Sequence, residues 1–152
     1  MSDDALTSAE RIEIERACER LIHRYARALD VGDLEAAADC FAQQGSMARP
    51  MAPERIIHGR EAIRAALLTR PKGLLTKHLS TNVMIEVQSR EAARGLSCLT
   101  MISATPEPGR TAPHGSSGPL WFGEFRDRFV REDGEWKFLE RLGSLQLRYP
   151  PP

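Results

Sequence analysis

No apolar run in this 152-residue chain approaches the roughly 18 residues that a membrane span requires. Neither sign of charge is in surplus. Lys plus Arg number 21 and Asp plus Glu number 21, which argues against nucleic acid or an anionic membrane as the main partner. Cysteine is scarce: Cys18, Cys40 and Cys98 form an odd set without CxxC spacing. Such a set reads as free thiols in a reducing compartment. The start, MSDDALTSAE, lacks the basic-then-apolar layout of a signal peptide, so a cytoplasmic protein is expected. HExxH is missing as well, and no metal is expected. Without GxGxxG or GxxxxGK(S/T), the usual nucleotide signatures are gone and no cofactor is expected.

What is present is a globular composition, 41% hydrophobic and 28% charged. The length fits one domain over residues 1–152, with residues 1–7 and 148–152 as flexible ends. Thr7 and Glu10 have capping-box spacing, and Ile14, Cys18, Leu21, Ile22, Tyr25, Ala28 and Leu29 recur at helical steps as far as Gly32. Asp33 is a natural N-cap for a second helix through Leu34 to Phe41. Residues 45–58 contain two prolines and read as irregular strand and loop. A third helix fits Glu61–Thr69, closed by Pro71.

From Leu74 the period becomes two, with His78, Ser80, Asn82, Met84 and Glu86 on one face and Leu79, Thr81, Val83, Ile85 and Val87 on the other. A second strand spans 92–104, and a loop rich in proline and glycine covers 105–119. Strands 120–131 and 135–147 meet across Asp133-Gly134, a strong hairpin signal. Helices followed by an antiparallel meander give an α+β class. The expected architecture is N-terminal helices packed in the concave face of a curved, mainly antiparallel sheet. This cone-shaped half-barrel leaves an apolar cavity near the end of the first helix.

Several residues on this frame can carry chemistry. Asp30 sits in the last turn of the first helix, where the macrodipole disfavours an anion; a solvated surface carboxylate is the plain alternative. Tyr25 lies on the apolar stripe, as a core tyrosine or as a phenol aimed into a cavity. His78 opens a polar strand face, and a carboxylate on its ring would fix its tautomer and raise its basicity. Asn82 and Met84 continue that face and are expected to line the substrate pocket with Phe125 and Arg141. Arg141, among leucines, needs a carboxylate from a ligand or from the protein, with Asp127 on the neighbouring strand as the favoured partner. His23, His58 and His114 read as surface residues.

The segments RLIHRYARALDVGDLEAAADCFAQQG, HGREAIRAAL, TKHLSTNVMIEV and FRDRFVREDGEWKFLER resemble the SnoaL-like branch of the nuclear transport factor 2-like superfamily, from about residue 10 to residue 147. The resemblance is closest to the subgroup of scytalone dehydratase, bile-acid 7-alpha dehydratase and hexachlorocyclohexane dehydrochlorinase. That subgroup pairs an Asp at the end of the first helix with a His on the first long strand, and Asp30 and His78 match those positions. Tyr25 matches the tyrosine of the bile-acid enzyme, where the dehydrochlorinase has lysine. The second active-site His of scytalone dehydratase has no counterpart on the later strands here. Where the ketosteroid isomerases place their base Asp, this chain has Arg49 or its neighbours.

The resemblance implies a cofactor-independent lyase, dehydratase-like, acting on a small hydrophobic, cyclic substrate through Tyr25, Asp30 and His78. The alternatives are a ligand-binding or subunit-assembly module of the same fold, or an isomerase or cyclase. A homo-oligomer is expected, because Leu96, Cys98 and Ile102 or the alternate set give the outer sheet face an apolar patch. The dehydratase resemblance suggests a trimer and the wider superfamily a dimer.

Overall fold

The Thr7–Glu10 spacing closes the first turn of the chain's longest helix. In the computed structural model, which describes residues 5–150, the Thr7 hydroxyl accepts the Glu10 N–H at 3.2 Å. The Glu10 carboxylate accepts the Thr7 N–H at 2.7 Å. Helix α1 (Ser8–Val31) then runs to Gly32, whose φ of +76° is the left-handed stop that glycine adopts without strain. Asp33 caps α2 (Leu34–Asp39) by accepting the Ala36 N–H at 3.0 Å. That helix is shorter than its pattern suggested. Phe41 leaves it to begin strand β1 (Phe41–Arg49), which runs parallel to the C-terminal strand with Phe41 opposite Phe138.

Residues 45–58 are more regular than expected. They finish β1, turn at Pro50-Met51, and return as antiparallel β2 (Ala52–His58). Two prolines are compatible with this because Pro50 lies in the turn and Pro53 on an edge strand, where a missing N–H breaks no central ladder. Helix α3 (Arg60–Leu68) follows, and then the antiparallel run β3 (Leu75–Val87), β4 (Ala92–Ala104), β5 (Leu120–Glu132) and β6 (Glu135–Tyr149). The strand order is β2-β1-β6-β5-β4-β3. Three helices thus pack on a curved, mostly antiparallel sheet of six strands that does not close. Of the ends expected to be flexible, residues 1–4 and 151–152 lie outside the described residues. Thr7 caps α1, and Arg148 and Tyr149 pair with Trp121 and Leu120 in the sheet.

The inner face of the sheet is filled at one end and open at the other. Cys18, Leu21, Ile22, Tyr25 and Leu29 of α1 pack on Phe41, Phe129 and Phe138, with Val83, Ile85 and Val87 closing the flank. This division depends on a bulge in β3 between Thr81 and Met84, where Asn82 takes a φ of +49°. Asparagine tolerates that region better than most side chains. Before the bulge Thr76, His78 and Ser80 point inward; after it Val83, Ile85 and Val87 do. Polar residues therefore face the open end, and apolar residues face the packed end.

Candidate active site

The open end holds a cavity of about 300 Å³ between the last turns of α1 and α3 and the inner sheet face. Leu29, Leu67, Leu74, Leu99, Met101 and Phe125 give it apolar walls. A volume of that order is at the small end of the roughly 300–1,000 Å³ usual for ligand sites.

Asp30 stands behind His78 at this cavity and is no surface carboxylate, since only 8% of its side chain is exposed. Three donors converge on it. The Thr76 hydroxyl and the His78 ring Nδ1 meet Oδ1 at 3.0 and 2.6 Å, and the His78 backbone N–H donates to Oδ2 at 3.0 Å. These bonds offset the cost of an anion at a helix C-terminus. Burial pushes the Asp30 carboxyl up. The ring and backbone of His78, its charge and the Thr76 hydroxyl together outweigh burial and hold it below the ordinary carboxylate value. An ionised carboxylate only accepts, so a neutral His78 keeps its proton on Nδ1 and presents a bare Nε2 to the cavity that it lines.

Tyr25 lines the same cavity and is 6% exposed, its ring edge-on to Phe41 and Phe138 at 5.6 and 5.8 Å. Its hydroxyl donates to the Met47 Sδ at 3.5 Å, a weak acceptor that a ligand oxygen would outcompete. Burial pushes the phenol up to about 12 against the charges of Arg141, Arg49 and Arg70, so it stays a donor at neutral pH. Arg141, 1% exposed, lies with its guanidinium carbon 3.8 Å from the Phe125 ring centroid and 4.6 Å from that of Phe138. Its Nη1 donates to the Asp127 Oδ2 at 2.6 Å, which is the cross-strand pair expected from the sequence. Among the described residues the buried Arg141 Nε and Asp127 Oδ1 have no hydrogen-bond partner.

The sequence-expected residues thus divide. Tyr25, Asp30 and His78 are brought together, and Phe125 and Arg141 line the cavity with them. Asn82 and Met84 do not line it. The β3 bulge ends the alternation that put them on His78's face and leaves Met84 69% exposed on the outer side of the sheet. Sequence reasoning also missed Thr76, Arg49 and Arg70. Thr76 lies two residues before His78 on the same face, and that spacing was the available signal. Arg70 follows α3 and donates to the Thr76 hydroxyl at 2.5 Å, extending the contacts from Asp30 to the cavity wall. Arg49 reaches the cavity from the end of β1 and is held by the Ala66 carbonyl.

His23 and His58 are exposed, as expected, whereas His114 is half-buried in its loop. The three cysteines are free, and burial holds the Cys18 thiol up at about 12. Among the described residues no three His, Cys, Asp or Glu side chains gather to hold a metal ion. No helix among them is long and apolar enough to cross a membrane.

A family model for the SnoaL-like domain matches residues 10–142. Among solved structures, the chain is similar to a scytalone dehydratase-like protein from Novosphingobium aromaticivorans DSM 12444. The two are 22% identical over 96% of this chain and 93% of that one, with a TM-score of 0.79. A hexachlorocyclohexane dehydrochlorinase, LinA Type2, is 17% identical over 96% and 94%, with a TM-score of 0.76. Rv3472 of Mycobacterium tuberculosis, a protein of unknown function, is 27% identical over 89% and 77%, with a TM-score of 0.71. No curated protein sequence matches significantly.

Proposed function

The chain belongs to the SnoaL-like domain family, and from that membership and the cavity we propose that it is a cofactor-independent, dehydratase-like lyase acting on a small hydrophobic, cyclic substrate. The observation that carries this reading is the 2.6 Å contact of Asp30 with the His78 ring at the wall of an apolar cavity. A ligand carrier needs no oriented base at such a place, and a purely structural histidine needs no cavity beside it. The structural likeness to a dehydratase-like protein and a dehydrochlorinase agrees with the same chemistry.

In the proposed step His78 Nε2 takes a proton from a carbon next to a carbonyl. The C–H pair becomes the new C=C bond, and the C–O pair leaves with the hydroxyl. Tyr25 donates its hydrogen bond to that departing oxygen. The proton gained by His78 completes the water that leaves, so the enzyme ends as it began. Acid–base help of this kind contributes about 10² to 10⁴-fold, and positioning by the cavity walls supplies much of the rest.

Incubation with a panel of cyclic β-hydroxy ketones and acyl thioesters, followed by mass analysis of the products, tests the reading. Loss of water from at least one member is expected, and recovery of every member unchanged counts against it. Tyr25→Phe is expected to lower kcat/KM about tenfold on the responding substrate, since the phenol orients the leaving group and does not supply the base. A loss as large as that from removing His78 would make the tyrosine the principal acid.

The same reading includes self-association through the outer sheet face. Leu79, Met84 and Leu96 are exposed there, among Glu86, Arg94, Glu124, Arg126 and Glu140. Both charges on one patch let that patch face a second copy of itself across a two-fold axis. Light scattering at micromolar concentration is expected to give at least twice the chain mass; a monomer mass would remove this interface.

A further inference from the structure

Three guanidinium groups, those of Arg49, Arg70 and Arg141, line a cavity whose walls are otherwise mostly apolar, and no carboxylate lines it among the described residues. Arg141 is already neutralised by Asp127 at 2.6 Å. Arg49 and Arg70 are not. Among the described residues their hydrogen bonds go to uncharged oxygens, the Ala66 carbonyl and the Thr76 hydroxyl, and neither forms an ion pair. They are near enough to act on each other and on the Tyr25 phenol. Half-burial lowers the Arg70 guanidinium's pKa, Asp30 and Tyr25 oppose that, and the Arg49 charge adds to the lowering.

Arg49 is exposed and Arg70 half-buried, so in the empty cavity solvent compensates part of their charge; a neutral hydrocarbon ligand that displaces this solvent would put nothing in its place. An oxyanion would take that place, and the planar fork of arginine matches a carboxylate with two parallel hydrogen bonds. We propose that the substrate of this cavity carries one carboxylate on its apolar body, and that Arg49 and Arg70 bind that carboxylate. The proposal rests on the cavity's being the substrate site. It adds the class of substrate: a cyclic acid, whose ring lies against Leu99, Met101 and Phe125 near His78 while its carboxylate reaches the two arginines.

The arginines are suited to selection as well as affinity. A neutral ring takes solvent from the guanidinium groups without replacing its hydrogen bonds, whereas an acid of the same shape replaces them, so the anionic ligand is favoured over its neutral counterpart. Arg49 is the cleaner position to probe, because among the described residues its hydrogen bond goes to the Ala66 carbonyl, whereas Arg70 touches Thr76 and through it Asp30.

Calorimetric titration of the full chain with 2-naphthoate and with 2-naphthalenemethanol tests this. The two share a ring body and differ in the charge of one substituent. The acid is expected to bind at least about tenfold more tightly than the alcohol. Arg49→Gln and Arg70→Gln should each erase most of that preference while leaving the alcohol's affinity in place, which also shows that the cavity is still formed. Equal affinity for the two ligands, absence of binding by both, or equal loss of both in the variants overturns the proposal. Binding is read without turnover. An inactive Asp30–His78 pair therefore leaves the result intact, and a lyase that prefers neutral substrates overturns this inference alone.

Discussion

Asp30→Asn and His78→Ala are each expected to lower kcat/KM at least about 10²-fold in an elimination assay, or roughly 2.7 kcal/mol of transition-state stabilisation. The geometry around Asp30 makes the asparagine variant informative. Both carboxylate oxygens already accept: Oδ1 from Thr76 and the His78 ring, Oδ2 from the His78 backbone N–H. An amide must turn its NH₂ toward one of these donors. Facing the ring, it makes Nδ1 an acceptor, moves the ring proton to Nε2 and removes the base from the cavity. Facing the backbone, it opposes an N–H and leaves that group unpaired, at a cost of about 1–3 kcal/mol.

The double variant is expected to be scarcely worse than either single one, because the carboxylate acts only through the ring. Fully additive losses would mean that the two residues work independently, and unchanged activity in either single variant would remove the pair from the mechanism. Asp30 itself sets no acid limb above its ordinary value of 3.8, since its folded pKa lies lower still. Its contribution to stability is present above that value and is lost only as the pH falls through the folded pKa.

The helices and the antiparallel run were legible because their signals are local. A capping box, a left-handed glycine and an Asp-Gly hairpin each act within a few residues, and they occur where the periodicity placed them. Asp30 and His78 were legible as oddities, a misplaced charge and a polar strand face, but their contact is a tertiary fact that spacing does not contain. Asn82 and Met84 were misread for a definable reason. Strict alternation has no term for a bulge, and one left-handed residue reversed which face of β3 points inward. Residues 45–58 were misread because prolines count against a strand only where the ladder needs their N–H, and edge position is decided by the other strands. Arg49 and Arg70 look like ordinary surface arginines in the sequence; the meeting of the end of β1 with the end of α3 brings them to one cavity, and that is a tertiary fact.

Asp127→Leu is expected to destabilise the fold by about 3–5 kcal/mol, because it strands the Arg141 charge in a site that is 1% exposed. Arg141→Met alone should cost a similar amount by stranding the carboxylate. Changing both, to Leu and Met, should cost far less than the sum, since a buried pair replaced by apolar side chains is often close to neutral. Denaturant unfolding of the four proteins gives the comparison, and additive losses would show that the two side chains do not depend on each other. The pH dependence supplies a second reading. Burial outweighs the pull of Arg141 and pushes the Asp127 carboxyl up to about 6 from its ordinary 3.8. The folded state therefore holds a proton more readily than the unfolded chain. This contribution to stability is full below the unfolded value and is lost as the pH rises through about 6. Relative to the Leu and Met double variant, in which Asp30 is unchanged and its contribution cancels, the unmodified protein should gain on the order of 2 kcal/mol between pH 7.5 and 4, short of the full shift because pH 4 still lies above the unfolded value. A gain in the opposite direction would mean that Arg141 holds Asp127 ionised, and that attraction, not burial, governs the pair.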